Sequence, residues 1–280
     1  MKPLISVIMA VYNSSAFLAE AVASVRAQTV PDWELIAVDD GSRDGSPELI
    51  QKMAAADPRI RLLRMPQNSG AGAARDFAIR QARGTFIAIF DADDVCEPAR
   101  FEKQLAFLKS RPDVVAVGAQ TVMVDLDGKL SGTKTFPTDP DTLYRMMYTA
   151  IPIQLPTLMV NTALLPADFG WFEGWRYSED SLLFFKLAHY GKIANLPDFL
   201  LKYRYYPQST SYRKAKTYFY ETWKSRGIAR RRYGYNPPPR ARFVSGLQFI
   251  VVTCLPGRCI PWVYKMIRRI MLLLSGHDEK

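Results

Sequence analysis

"GTFIAIFDADDVCEPARF" (residues 84–101) sets five consecutive buried-type residues, Phe86 to Phe90, against three carboxylates in the next four positions. An apolar run this short, bounded by Gly84 and an acidic turn, reads as a core strand. Asp91, Asp93 and Asp94 then fall at its carboxyl end, where like charges repel at neutral pH unless a positive partner offsets them. The stretch that follows, Glu97–Lys109, reads as a helix with Pro98 in its first turn.

The same strand-then-helix unit recurs upstream. Leu4–Met9 reads as a strand and Ser14–Gln28 as a helix, with Phe17, Ala21 and Val25 at helical spacing. Leu35–Asp39 and Ser46–Ala55 form a second pair, and Arg59–Arg64 and Gly72–Ala82 a third. Such alternation predicts parallel strands covered by helices, an α/β architecture. Ligands of these sheets bind beyond the carboxyl ends of the strands. The polar clusters Tyr12-Asn13, Asp39-Asp40 and Asp91/Asp93 all sit there. Further on, Val114–Val124 reads as a strand, Asp127-Gly128 as a turn and Asp141–Thr149 as a short helix. Glu179–Tyr190 reads as a helix, Leu200–Tyr205 as a last strand and "YNPPPRAR" (235–242) as a linker.

Length and composition suit a globular protein: 280 residues, 48% hydrophobic and 23% charged. The net charge of +10 is concentrated at one end. Residues 213–280 hold fifteen Lys/Arg against three Asp/Glu, and the rest of the chain is close to neutral. Cys96, Cys254 and Cys259 cannot all pair within one chain, so a reducing compartment is expected. Two histidines give no zinc-ligand spacing. The start of the chain reads as a first strand and not a signal peptide. No apolar run is long enough for a confident membrane span.

Each chemical motif has two readings. Asp91 and Asp93, two apart on a tight turn, suit Mg²⁺ or Mn²⁺, which favour oxygen ligands and take further oxygens from phosphates. Alternatively Asp93 or Asp94 caps the next helix. Tyr12 suits stacking on a nucleobase or plain packing. Asp40 suits an imide N–H, as in uracil, or a simple Asp39-Asp40-Gly41 turn. The pair Gly70-x-Gly72 lacks the third glycine of a dinucleotide loop. Arg75, in the first turn of a helix, suits phosphate or solvent. Glu179 and Asp180 favour a helix dipole, and the same placement keeps Asp180 ionised for general-base work.

Taken in order, "SVIMAVYN", "ELIAVDDGSRDGS", "NSGAGAARDFAIRQARG", "FIAIFDADD" and "SEDSLLFFKLAHYGKI" resemble the inverting nucleotide-sugar glycosyltransferases of family 2. The resemblance spans roughly residues 3–212. It implies a GT-A fold, a Rossmann-like mixed sheet flanked by helices, for residues 1–212. It implies a nucleotide-sugar site drawn from Ala10, Tyr12, Asn13, Asp40, Arg75, Asp91, Ala92, Asp93 and Glu179. Within that site Asp40 would meet a uracil imide, Arg75 would lie near the donor phosphates, and Asp91 and Asp93 would hold Mn²⁺ or Mg²⁺. Asp180 would be the catalytic base. The implied donor is a UDP-sugar, with dTDP able to make the same imide contact, and the implied acceptor is a glycan or lipid-linked glycan. Tyr206 stands where many relatives place a histidine, so no role of that histidine carries over. A sugar-phosphate nucleotidyltransferase would want a Gly-rich basic loop after the first strand, which "AVYNSSAF" is not. A binding module without turnover is the non-enzyme alternative.

Residues 213–280 read as a basic, partly amphipathic extension. In "IPWVYKMIRRIMLLL", Val263, Met266, Ile267, Ile270, Met271 and Leu274 share one helical face, with Lys265, Arg268 and Arg269 largely opposite. That pattern suits an anionic membrane surface, or else a helix packed on the catalytic domain. Nucleic acid has only the charge to recommend it. The expected location is cytoplasmic, peripheral on the inner face of the cell membrane.

Overall fold

The structure, a computed structural model, describes residues 2–172, 178–205 and 214–256. The elements run β1 (Ile5–Val11), α1 (Leu18–Arg26), β2 (Trp33–Asp39), α2 (Ser46–Ala56), β3 (Ile60–Arg64), α3 (Ala71–Ile79), β4 (Phe86–Asp91), β5 (Val95–Cys96), α4 (Arg100–Ser110) and β6 (Val114–Val124). They continue with β7 (Leu130–Lys134), α5 (Pro140–Met146), β8 (Met159–Asn161), α6 (Glu179–Tyr190), β9 (Lys192–Arg204), α7 (Ala215–Arg232) and α8 (Pro239–Cys254).

The strands form one mixed sheet in the order β3-β2-β1-β4-β8-β6-β9-β5, with β7 paired to β6. Strands β3, β2, β1 and β4 are parallel. β8 runs antiparallel to both β4 and β6, and β9 parallel to β6. The α/β expectation holds, and the sheet is mixed as the resemblance implies.

The central strands read as continuous apolar runs because both faces are covered. Along β1, Ile5, Val7, Met9 and Val11 face one core with Leu18, Val22, Phe101 and Leu105 from α1 and α4. Ile8 faces the other, with Ala74 and Ala78 of α3 and Leu183, Phe184 and Leu187 of α6. Each fully buried side chain of this size contributes about 1.5–3 kcal/mol. The chain turns outward in both directions from β1, to β2 on one side and β4 on the other. The carboxyl ends of β1 and β4 therefore border a topological switch point, with Ala10 in register with Asp91.

Several boundaries differ from expectation. Pro98 lies before α4, not in its first turn, because Val95–Cys96 first pairs with β9. The last strand is longer than Leu200–Tyr205 and begins at Lys192. The proline run ends in α8, with Pro239 at the helix start, where a missing N–H costs nothing. α7 and α8, within the basic extension, pack on the sheet's helical layer: Phe219 and Val252 form a small core of their own, and Ala229 and Ala241 join the core that holds Ala74 and Leu183. Tyr206 and the 262–274 stretch lie outside the described residues.

Candidate active site

The acidic turn after β4 is held by arginines from distant parts of the chain. Arg75, buried in α3, donates to Asp91 Oδ1 at 2.7 Å and to Glu179 Oε1 at 2.5 Å. One guanidinium thus ties the turn to the start of α6, as its planar fork allows. Burial works to lower the Arg75 pKa, but the charges of Asp91 and Glu179 outweigh it and raise the value. Its Nε is buried with no hydrogen-bond partner.

Arg204, at the end of β9, supports the turn from the other side. Its backbone N–H donates to Asp94 Oδ1 at 2.9 Å and its Nε to the Asp93 carbonyl at 3.0 Å. The same guanidinium reaches the carbonyls of Asp125 and Leu126 and the carboxylate of Glu20. Asp94 does not cap α4, whose N-cap is Ala99. It is buried, and burial first, then the charges of Asp93 and Asp91, hold its carboxyl well above the usual range.

Asp91, Asp93 and Asp94 each offer a carboxylate oxygen, and these atoms lie within 4.8 Å of one another. Asp94 Oδ2 is buried without a partner. An all-oxygen set with an orphaned acceptor suits a hard divalent cation such as Mg²⁺ or Mn²⁺. Asp94 therefore joins the two carboxylates that the sequence pairs.

Asp180 lies one residue beyond Glu179 in the first turn of α6 and is buried. Burial, then the neighbouring Glu179 charge, pushes its pKa up to about 7, against the opposing pull of Tyr218 and Arg75. Tyr218 of α7 donates to both carboxylate oxygens at 3.1 Å. Ser178, Ser181 and Thr222 share a hydroxyl cluster, and Ser178 N–H donates to Glu221. These bonds fasten the start of α6 to α7. Gly72 permits the close packing beside them: a Cβ there would stand 3.0 Å from Glu179 Cβ.

Of the remaining predicted residues, Tyr12, Asn13 and Asp40 lie at the carboxyl ends of β1 and β2. Tyr12 is half exposed at the end of β1 and is not a packed core ring. Asn13 has φ 50°, donates its N–H to Ser42 Oγ and accepts from Arg43 N–H. Asp40 is buried, and its two oxygens accept the N–H groups of Ser69 and Gly70. It anchors the loop before α3, and Gly41 at φ 77° completes the turn. Ala92 is buried within the acidic turn.

A family model described as glycosyl transferase family 2 matches residues 6–162, more than half of the chain. The chain belongs to that family. Among curated relatives, it is 41% identical over 110 residues to a putative teichuronic acid biosynthesis glycosyltransferase of Bacillus subtilis, TuaG, covering 39% of this chain and 44% of that one. It is 31% identical over 234 residues to the uncharacterized glycosyltransferase MJ1057 of Methanocaldococcus jannaschii, covering 80% of this chain and 79% of that protein. The fold is similar to that of S. aureus TarS 1–349 in complex with UDP-GlcNAc, with TM-score 0.68 and 22% identity over 88% of this chain and 70% of that one. The family 2 chain thus has the GT-A fold that its motif order implies.

Tyr218 and Arg204 were not legible as site residues. Tyr218 is one ring in the aromatic run "TYFYETW", and Arg204 one of three cations in the strand "KIANLPDFLLKYR" (192–204). No local spacing marks either.

Proposed function

We propose that this family 2 member is an inverting, metal-dependent glycosyltransferase. It moves a sugar from a nucleotide-sugar, a UDP-sugar, to an acceptor hydroxyl in a cell-surface polysaccharide or lipid-linked glycan. It works at the inner face of the cell membrane, with its basic extension toward the lipid. The observation that carries the reading is the Arg75 bridge, which brings the acidic turn and the Glu179-Asp180 pair to one place. The family match, the teichuronic acid relative and the UDP-GlcNAc complex of TarS support the same reading.

The chemistry assigned to each side chain follows from its surroundings. Asp180, with a pKa near that of a working general base, takes the proton of the acceptor hydroxyl. The oxygen so activated attacks the anomeric carbon from the face opposite the diphosphate, and a single displacement inverts the configuration. Asp91 and Asp93, with Asp94 beside them, would hold a divalent cation whose role is to stabilise charge on the departing nucleotide. Arg75 orients Asp91 and Glu179, and its charge is taken up by those two carboxylates and not by the donor phosphates that the resemblance assigns to it. Tyr12 stacks on the base. Asp40 keeps lone pairs beyond its two loop bonds for an imide N–H. A module without turnover would have no use for a buried carboxyl poised near neutrality, so the enzyme reading is preferred.

The test is a panel of UDP-, dTDP- and GDP-sugars with Mn²⁺ or Mg²⁺, scored by nucleotide release. Release from a UDP-sugar that needs the cation and is lost in Asp180→Asn supports the reading. An Asp180→Asn variant that turns over normally would remove Asp180 from the base role. No release from any donor would favour the binding module.

A further inference from the structure

Helix α8 is packed inside out. Its buried residues are Ala241, Ser245, Gln248 and Val252, two of them polar, and Phe249 packs partly buried against Tyr220 and Trp223 of α7. Phe243, Leu247 and Ile250, spaced i, i+4 and i+7, share the opposite strip and are 74%, 51% and 60% exposed. A surface helix of a globular protein normally shows the reverse pattern. Rotation cannot relieve it, because the polar inward face is fully engaged. Arg226 Nη1, buried, donates to Ser245 Oγ at 2.8 Å and to Gln248 Oε1 at 3.0 Å. Gln248 Nε2 in turn donates to the Thr149 carbonyl. Turning Phe243 inward would strand a buried guanidinium, a cost of several hydrogen bonds.

The surroundings of the strip are cationic. Arg240 and Arg242 are exposed beside Phe243 in the first turn of α8. At the same end, an open cleft of about 450 Å³ is lined by Arg230, Arg231, Arg242, Tyr235 and Asn236. From Thr222 to His277 the sequence carries eleven Lys/Arg and no Asp or Glu. A second copy placed on the strip by two-fold symmetry would set these arginines against themselves. The segment beyond residue 256 carries Arg258, Lys265, Arg268 and Arg269 in sequence, so laying it on the strip would bring like charges together. An anionic lipid surface satisfies both features: acyl chains take the apolar strip, and phosphate oxygens take the guanidinium groups.

We infer that the outward face of α8 is a membrane-docking surface, with Phe243, Leu247 and Ile250 entering the lipid interface and Arg240, Arg242 and the arginine-lined cleft engaging anionic headgroups. The inference deepens the membrane-side part of the proposed function and assigns the contact to a helix upstream of the 262–274 stretch. It does not depend on the transfer chemistry.

The experiment uses the full chain and co-sedimentation with vesicles of phosphatidylcholine alone or with about 30% phosphatidylglycerol. The parent should bind the anionic vesicles and release with salt. Phe243→Ser/Leu247→Ser/Ile250→Ser replaces exposed side chains only, so folding is retained and checked by circular dichroism. Its binding should fall on the order of tenfold or more. Arg240→Gln/Arg242→Gln should lose much of the salt-sensitive part. Triple-variant binding equal to the parent's would overturn the inference. So would a parent that is dimeric by light scattering and a triple variant that is monomeric, because the strip would then be a self-interface. Nucleotide release measured without vesicles separates the two readings: its absence in both proteins, with vesicle binding as expected, would sink the transfer chemistry and leave the surface assignment standing.

Discussion

Tyr218 Oη donates to both oxygens of Asp180, at 3.1 Å each, across 38 positions of sequence. The phenol comes from α7, outside the segment that carries the family motifs, yet it touches the carboxylate assigned as base. It opposes the burial and Glu179 charge that push Asp180 up to about 7. Tyr218 thus acts as a positioning residue that makes the ionised form easier to reach.

A pH consequence follows directly. If Asp180 must be ionised, kcat/KM rises with pH and levels off above an apparent pKa near 7. Tyr218→Phe removes a hydrogen bond that favours the charged form, so the rising limb moves to higher pH. The shift expected is about one unit, worth about 1.4 kcal/mol. Activity lost at pH 7 should return at pH 9. A uniform loss at all pH values would mean that Tyr218 only holds α7 in place.

The same elevated pKa makes Asp180 a stability liability. Between its usual carboxylate range and about 7, the folded chain keeps a proton that the unfolded chain has released. Stability therefore falls as pH rises through that window and stays low above it. Asp180→Asn cannot ionise, and its amide oxygen still accepts from Tyr218. The variant should match the parent near pH 4 and exceed it by about 2 kcal/mol at pH 8. Urea unfolding at the two pH values measures this, and equal stability at pH 8 would contradict it.

The parts of this site that the sequence reveals are those built from contiguous residues. Phe86–Phe90 ends in carboxylates, so both the strand and its polar end are visible, and Glu179–Tyr190 is bounded by an acidic first turn and Gly191. The supporting contacts are long-range. Arg204 reaches Asp93 across 111 positions and Arg75 reaches Glu179 across 104, and no local spacing encodes either. Arg75 reads as a phosphate ligand or a solvated cation because its partners are brought to it only by the fold. Helix α8 is opaque for another reason: its apolar strip faces outward, so the usual inference from pattern to buried face fails.

Replacing Arg75 distinguishes charge from fork geometry. Arg75→Lys keeps a cation but cannot hold Asp91 and Glu179 in one planar group. It should fold with a loss of about 1–2 kcal/mol and transfer sugar at least about tenfold more slowly. Arg75→Met leaves both carboxylates without their cation beside α3, and its stability should fall by about 3–5 kcal/mol. Unfolding curves and nucleotide release on both variants give the comparison. A lysine variant with parental turnover would show that the bridge is not needed for catalysis.

Gly72 sets two effects against each other. In the first turn of α3, alanine is intrinsically better than glycine by about 1 kcal/mol. Its Cβ, however, would lie 3.0 Å from Glu179 Cβ and 3.2 Å from Glu179 Cγ, tighter than ordinary packing allows. The glutamate cannot yield freely, because its carboxylate is held by Arg75 and the start of α6 is fastened to α7 through Ser178, Ser181 and Thr222. The strain therefore passes to the Arg75 bridge and to Asp180, one residue on. Gly72→Ala should stay within about 1 kcal/mol of the parent in stability, since gain and strain offset. Its kcat should nevertheless fall by about tenfold, because a displacement of a fraction of an ångström at a positioned base is costly. A variant with unchanged kcat would show that the Glu179-Asp180 turn tolerates movement and that its placement is not limiting.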